Sequence, residues 1–220
     1  VFLLAVGAAL QLQAQLGLGS YKSAWLLCAK LRRAMVAPGR SPLAGLVEVD
    51  ETAIPLRRKD EPPAGGQGRS PQGKMLVAGA VEVHDGGPGR VRLGAIQDAS
   101  AESLHAFVAA NIEAGATART DGWSGYPGAP GVTHEPHVIG PMAAHVVLPW
   151  THRVFANLKR WALGVYHGLR RQHLQSYLDE FAFRFNRRRT RHAAFRSLLG
   201  IAVARTPTTY NRLIKPEATA

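Results

Sequence analysis

Residues 46–55 read LVEVDETAIP, and how this stretch is read decides the fold. Leu46, Val47, Val49 and Ile54 are interleaved with polar residues and the run ends at Pro55, as a half-buried strand should. Asp50 sits inside it. Residues 56–73, LRRKDEPPAGGQGRSPQG, are charged and rich in Gly and Pro, which predicts a mobile loop. KMLVAGAVEV at 74–83 and GRVRLGAIQDA at 89–99 then read as two further strands, and the turn-forming HDGGPG between them makes a hairpin.

Next comes ASAESLHAFVAANIEAG at 99–115. Ser100 is placed to cap a helix whose Leu104, Phe107, Val108 and Ile112 recur on one face. TARTDGW at 117–123 is a short fourth strand with Asp121 at its end. Strand, strand, strand, helix, strand, helix describes an α/β fold, a mixed sheet with helices on its faces. It is also the element order of the ribonuclease-H-like fold.

Two carboxylates on separate strands suit phosphoryl transfer. Hard cations take oxygen ligands, and a pair of them activates an attacking hydroxyl and stabilises the leaving oxygen. An aspartate at a strand end is equally an ordinary turn or capping residue. The pattern leaves both readings open.

From Pro149 a helix is expected through LPWTHRVFANLKRWALGVYHG, with Val154, Leu158, Trp161 and Val165 as its buried stripe. His152 and Lys159 share another face, roughly 150° from that stripe, and so point at solvent or substrate. A second helix, HLQSYLDEFAFRFNRR, has Leu174, Leu178, Phe181 and Phe185 as its core face. It runs into the basic cluster Arg187, Arg188, Arg189 and Arg191, which suits phosphate or the helix dipole.

Upstream of the first strand, an apolar stretch through Leu16 breaks at GLGS, and Ser20 is placed to cap YKSAWLLCAKLRRAM. Helix, glycine turn and basic helix resemble a helix-turn-helix. That arrangement would set Tyr21, Lys22 and Ser23 near base edges and Arg32 and Arg33 near phosphates. APGRSPLAG at 37–45 follows as a linker.

Composition agrees with a nucleic-acid partner. The 220-residue chain is 46% hydrophobic and carries a net charge of +12, which favours a polyanion. The charge is segregated: residues 1–44 hold five Lys/Arg and no acid, residues 45–150 hold eight against twelve acids, and residues 151–200 hold eleven against two. Acids at the centre suit cations, and basic flanks suit DNA backbone. The apolar opening VFLLAVGAAL is about half of the roughly 20 residues a spanning helix needs, which predicts a soluble helix and no membrane partner. A single cysteine, Cys28, excludes an internal disulfide or a cysteine zinc site and agrees with a reducing cytoplasm. Val1 in place of Met points to an alternative start codon or a missing N-terminal stretch.

Four segments in order carry a resemblance: VEVDET, TDGWSGY, HRVFANLKRWALGVYHG and QHLQSYLDEFAFRFNRR. Together they resemble the ISXO2-like transposase domain of small bacterial and archaeal insertion sequences, over roughly residues 20–190. The resemblance implies a DDE-type, ribonuclease-H-like enzyme that cleaves element ends and transfers strands. It makes Asp50 and Asp121 the first two catalytic acids and metal ligands, with two divalent cations, magnesium or manganese, as cofactors. Lys159 matches a lysine seven positions after the third catalytic residue. His152 occupies that third position, where many relatives have Glu. Magnesium binds histidine poorly and manganese accepts it more readily, so three roles are open for His152: metal ligand, phosphate contact or proton shuttle, or the mark of an inactive copy. Arg57 and Arg58 in the loop, Arg153 and Arg160 beside Lys159, and Arg187 and Arg188 are the further DNA contacts.

The implied partners are terminal-repeat and target DNA, with at least a homo-dimer on DNA, in a prokaryotic cytoplasm at the nucleoid. The implied division is a helix-turn-helix-like piece at 1–38, a catalytic domain at 45–200 and a tail at 201–220. Relatives usually carry a cysteine zinc ribbon ahead of the helix-turn-helix, and this sequence has none. A truncated, inactive copy that only binds DNA is the alternative reading.

Overall fold

Alternation along the first strand sets the layout. In β1 (Leu46–Pro55), Val47 and Val49 point to one side of the sheet and Glu48 and Asp50 to the other. The structure, a computed structural model, describes residues 9–56, 69, 72–85, 87–137, 144–165, 169 and 171–214. Val47 and Val49 pack with Ala78, Ala80, Leu104, Phe107 and Tyr126 into one buried cluster.

Four more strands complete the sheet: β2 (Lys74–His84), β3 (Gly87–Ile96), β4 (Thr117–Thr120) and β5 (Thr133–Pro136). Their order is β3-β2-β1-β4-β5. The first three strands run antiparallel as a meander, whereas β4 lies parallel to β1 and β5 parallel to β4. This is a mixed α/β sheet, as the order of strands and helices in the sequence predicts. A parallel neighbour needs a crossover, supplied by α3 (Ala101–Asn111), whose Leu104, Phe107 and Val108 are buried. Ser100 caps α3 by accepting from the Ser103 N–H at 3.3 Å, as its position in the sequence predicts. The fifth strand is an addition to the sequence reading. THEP is four residues long and lacks an apolar alternation, so only its backbone pairing with β4 identifies it.

After α4 (Ala144–Val147), the long helix α5 (Pro149–Val165) follows. Its buried side includes Val154, Phe155, Leu158 and Ala162, while Trp161 is only half-buried. The stripe is therefore rotated toward Phe155 relative to the expected Val154, Leu158, Trp161 and Val165.

Contacts divide the chain into two compact units, one drawn from Ser41–Trp161 and the other from Val1–Arg40 together with Ala162–Ala218. In the second unit α1 (Ala9–Leu16) ends at Gly17, whose φ of 62° reverses the chain. α2 (Tyr21–Arg33) begins at Ser20, but the Ser20 hydroxyl makes no capping hydrogen bond. α2 packs with α6 (Leu174–Asn186), and α7 (Ala194–Val203) and α8 (Tyr210–Ile214) complete the unit. In α6, Leu174, Leu178 and Phe181 are buried as expected, and Phe185 is half-buried against Phe181.

Arg32 departs from its expected place near phosphates. It is 5% exposed and its Nε donates to the fully buried Glu180 at 2.7 Å, with its guanidinium 4.6 Å above the Tyr177 ring. Burial beside a carboxylate makes it a structural cation, since a lone buried charge on either partner would be costly. No described helix is long and apolar enough to cross a membrane, and residues 1–8 lie outside the described ones.

Candidate active site

The start of α5 is fastened to β1 by one side chain. Glu48 is fully buried, and its Oε2 accepts from the Trp150 N–H at 3.0 Å, the Thr151 N–H at 2.8 Å and the Thr151 hydroxyl at 3.1 Å. Backbone N–H groups at a helix start have no partner within the helix, and the positive end of its dipole favours a carboxylate there. Burial pushes the Glu48 carboxyl above its ordinary range, and the Thr151 and Trp150 donors pull against that shift.

A close approach holds the next turn of the helix. Gly79 pairs with Asp50 across β1 and β2, and a Cβ at Gly79 would stand 2.5 Å from Phe155 Cε1. Only glycine lets the Phe155 ring lie on the sheet here.

These two contacts bring His152 and Lys159 to Asp50. His152 Nε2 lies 3.6 Å from Asp50 Oδ2, and the half-buried Lys159 feels the charge of Asp50. Burial lowers the Lys159 pKa, with Asp50 opposing.

Asp121 arrives from the neighbouring strand. β1 and β4 pair in parallel through Leu46–Thr117, Val47–Ala118 and Glu48–Arg119, and the same offset carried two residues further sets Asp121 beside Asp50. Its Oδ1 accepts from the Trp123 N–H at 3.0 Å, and its Oδ2 accepts from Arg69 Nη2 at 2.6 Å.

Three residues complete the cluster that the sequence reading did not single out. Glu51, nearly buried, accepts from the Tyr126 hydroxyl at 2.6 Å and is also bridged by Arg69 Nε. Arg69 thus spans Glu51 and Asp121, with its guanidinium 4.2 Å above the Trp123 ring. Burial and crowded negative charge act together on the central aspartate. Burial first, then the charges of Glu51 and Asp121, push Asp50 up to about 7, against the Glu51 backbone N–H and Arg69. The Tyr126 hydroxyl is raised by burial and then by Glu51.

The donor set fits a hard divalent cation in kind. Asp50 and Asp121 offer carboxylate oxygens and His152 a nitrogen that manganese accepts more readily than magnesium. Arg69, on Asp121 and Glu51, is itself a cation held by this set. Among the described residues no three His, Cys, Asp or Glu side chains form a ready-made metal cluster. Arg69 and a divalent ion would compete for Asp121 Oδ2.

With this geometry in view, a family model for the ISXO2-like transposase domain matches residues 42–186, about two-thirds of the chain. The chain belongs to that family. The matched span of this transposase domain runs from ahead of β1 to the end of α6, so it contains the whole cluster. No curated protein matches significantly. Among solved structures, the domain is similar to a chain in the cryo-electron-microscopy structure of the simian T-cell lymphotropic virus intasome in complex with PP2A regulatory subunit B56 gamma. The identity is 14% and the TM-score 0.42, covering 78% of this chain and 63% of that one.

The expected DNA contacts of the transposase domain and its flanks are placed unevenly. Tyr21 and Lys22 are exposed at the start of α2, and Arg153 and Arg160 are exposed on α5. Arg153 lies 4.9 Å over the Trp150 ring. Arg33 is half-buried, and its carbonyl oxygen accepts from Arg205. Arg187 and Arg188 lie over the rings of Phe183 and Phe185 at 3.8 and 4.0 Å, half-buried. Arg57 and Arg58 fall outside the described residues.

Removing the Glu48 clasp should loosen α5 first. Glu48→Ala strands two helix N–H groups and is expected to cost about 2 kcal/mol, while Glu48→Gln, which keeps an acceptor, costs less. Urea unfolding measures both, and an Ala variant as stable as the parent would contradict the clasp.

Proposed function

We propose that this chain is a DDE-type transposase that cleaves the ends of an insertion sequence and joins them to target DNA. The observation that supports this reading is His152 Nε2 lying 3.6 Å from Asp50 Oδ2, with the charge of Asp121 acting on Asp50 and that of Asp50 felt by Lys159. Asp50 and Asp121 would hold divalent cations, with His152 as the third ligand through one ring nitrogen. When bound, magnesium or manganese supplies Lewis acidity that activates an attacking hydroxyl and stabilises a leaving oxygen.

The chain's own groups do the rest. Water attacks a phosphodiester at the element end and frees a 3′ hydroxyl, which then attacks a target phosphodiester in line and displaces the target strand's own 3′ hydroxyl. No covalent link to the protein is required. Lys159, held half-buried beside Asp50, positions the reacting phosphate, and Arg153 and Arg160 hold the backbone on either side along α5. Tyr21, Lys22 and Arg33 on α2 serve the terminal repeats. We assign residues 1–38 to DNA reading, 45–200 to catalysis and 201–220 to a tail. Bringing two ends together requires at least a dimer on DNA, in a prokaryotic cytoplasm.

A second reading is a copy that binds DNA without cutting it. It is favoured by His152 at a position where many relatives carry Glu and by the Arg69 bridge on Asp121. Nicking of a terminal-repeat oligonucleotide that depends on divalent ions separates the two.

Asp50→Asn and Asp121→Asn are each expected to lower cleavage and joining by about 10³-fold or more while DNA binding stays at the parent level. Joining that persists in either variant would refute the assignment, and His152→Ala at the parent rate would remove His152 from it. Cation binding should also depend on pH. Ligands bind as carboxylates, and Asp50 carries its proton up to about 7, so manganese affinity should climb from about pH 5 and level off above pH 7. Electron paramagnetic resonance titration of manganese reads this, and a flat profile, or one that Asp50→Asn leaves unchanged, would count against it.

A further inference from the structure

The unit built from α1, α2, α6, α7 and α8 contains a cavity of about 140 Å³ that catalysis does not use. It lies between α2 and α6, with α8 and the segment before it closing one side. Its lining combines three chemistries. Trp25 and Tyr177 supply flat aromatic surface, Ser176 and Gln172 supply hydrogen-bonding groups, and Arg33 and Arg205 supply positive charge.

The cavity is preformed by strong contacts. Arg32, which lines it, is held by the buried Glu180 and stacked on one face of Tyr177. Trp25 stands edge-on to His173 at 5.7 Å between ring centroids, and the Arg205 guanidinium donates to the Arg33 carbonyl. With Arg32 paired to Glu180, Arg33 and Arg205 line it against one acid, Asp179, so the lining favours an anion. The volume is below the 300–1,000 Å³ typical of drug-sized ligands, which leaves room for one ring system and excludes a duplex.

We infer that this cavity receives one unpaired nucleotide of a DNA strand, its base against Trp25 and its phosphate against Arg33 and Arg205. Stacking a base on an aromatic ring and pairing its phosphate with arginine is how unpaired nucleotides are held without a partner strand. The inference deepens the transposase reading and rests on it: opening the helix at an element end is what would release such a nucleotide. The pocket also gives Trp25 and Arg33 a task that a plain recognition helix would not.

The test uses the full chain and three probes: a blunt duplex, the same duplex with a one-nucleotide 3′ overhang, and free deoxyadenosine monophosphate. Fluorescence anisotropy reads the duplexes and equilibrium dialysis the mononucleotide. The overhang duplex should bind the parent more tightly than the blunt one. Trp25→Leu should weaken overhang binding roughly tenfold and leave blunt binding within about twofold. Should Trp25→Leu lower the unfolding midpoint, Arg205→Gln at the rim decides, with the same selective loss expected. Equal affinities for both duplexes, or equal losses in the variants, overturn the pocket and leave the transposase reading standing. A parent protein that binds neither duplex overturns both. Binding of the mononucleotide with no preference for the overhang assigns the cavity to a free nucleotide and overturns the strand reading.

Discussion

The hold of Glu48 on the first turn of α5 is the constraint from which the site follows. β1 alternates its side chains, so Glu48 and Asp50 share a face, and the carboxylate of the first reaches the N–H groups of Trp150 and Thr151. Burying a carboxylate is costly, and three hydrogen bonds plus the positive end of a helix offset that cost. Because His152 is the next residue after Thr151, its distance from Asp50 is set by a bond two residues upstream on the same strand. Gly79 performs the matching task at the next turn. By leaving room for Phe155, it keeps α5 against the sheet on the strand that pairs with Asp50.

Electrostatics explains why this corner of the sheet differs from an ordinary strand end. Asp50, Glu51 and Asp121 meet where β1 and β4 run side by side, and little solvent reaches the first two. Arg69, the Tyr126 hydroxyl, backbone N–H groups and a proton on Asp50 near neutral pH balance the charge. Parallel register is what makes the pairing possible, since it sets the end of β4 beside the middle of β1, where Asp50 lies.

Much of this was legible in the sequence, for identifiable reasons. The period-two pattern of LVEVDETAIP marks β1 at its observed bounds, and the short TART run puts Asp121 just past β4. The seven-residue spacing sets His152 and Lys159 on one side of α5, and both lie toward Asp50. Pattern reading fails where the partner is distant in sequence. Arg32 looks like a surface cation on a basic helix, yet its partner Glu180 is 148 residues away. Glu51, Arg69 and Tyr126 belong to the site only through mutual contacts that span up to 75 residues. The strand THEP has no apolar signal at all, and Phe155 turns inward because a glycine on another strand admits it.

A crystal structure grown with manganese, with anomalous scattering recorded at the manganese edge, tests the central claim most directly. The account predicts anomalous density bound by Asp50 and Asp121, with Arg69 moved off Asp121 Oδ2 and α5 unmoved on Glu48. Anomalous density absent from these aspartates at saturating manganese, with Arg69 still bridging Glu51 and Asp121, would contradict it.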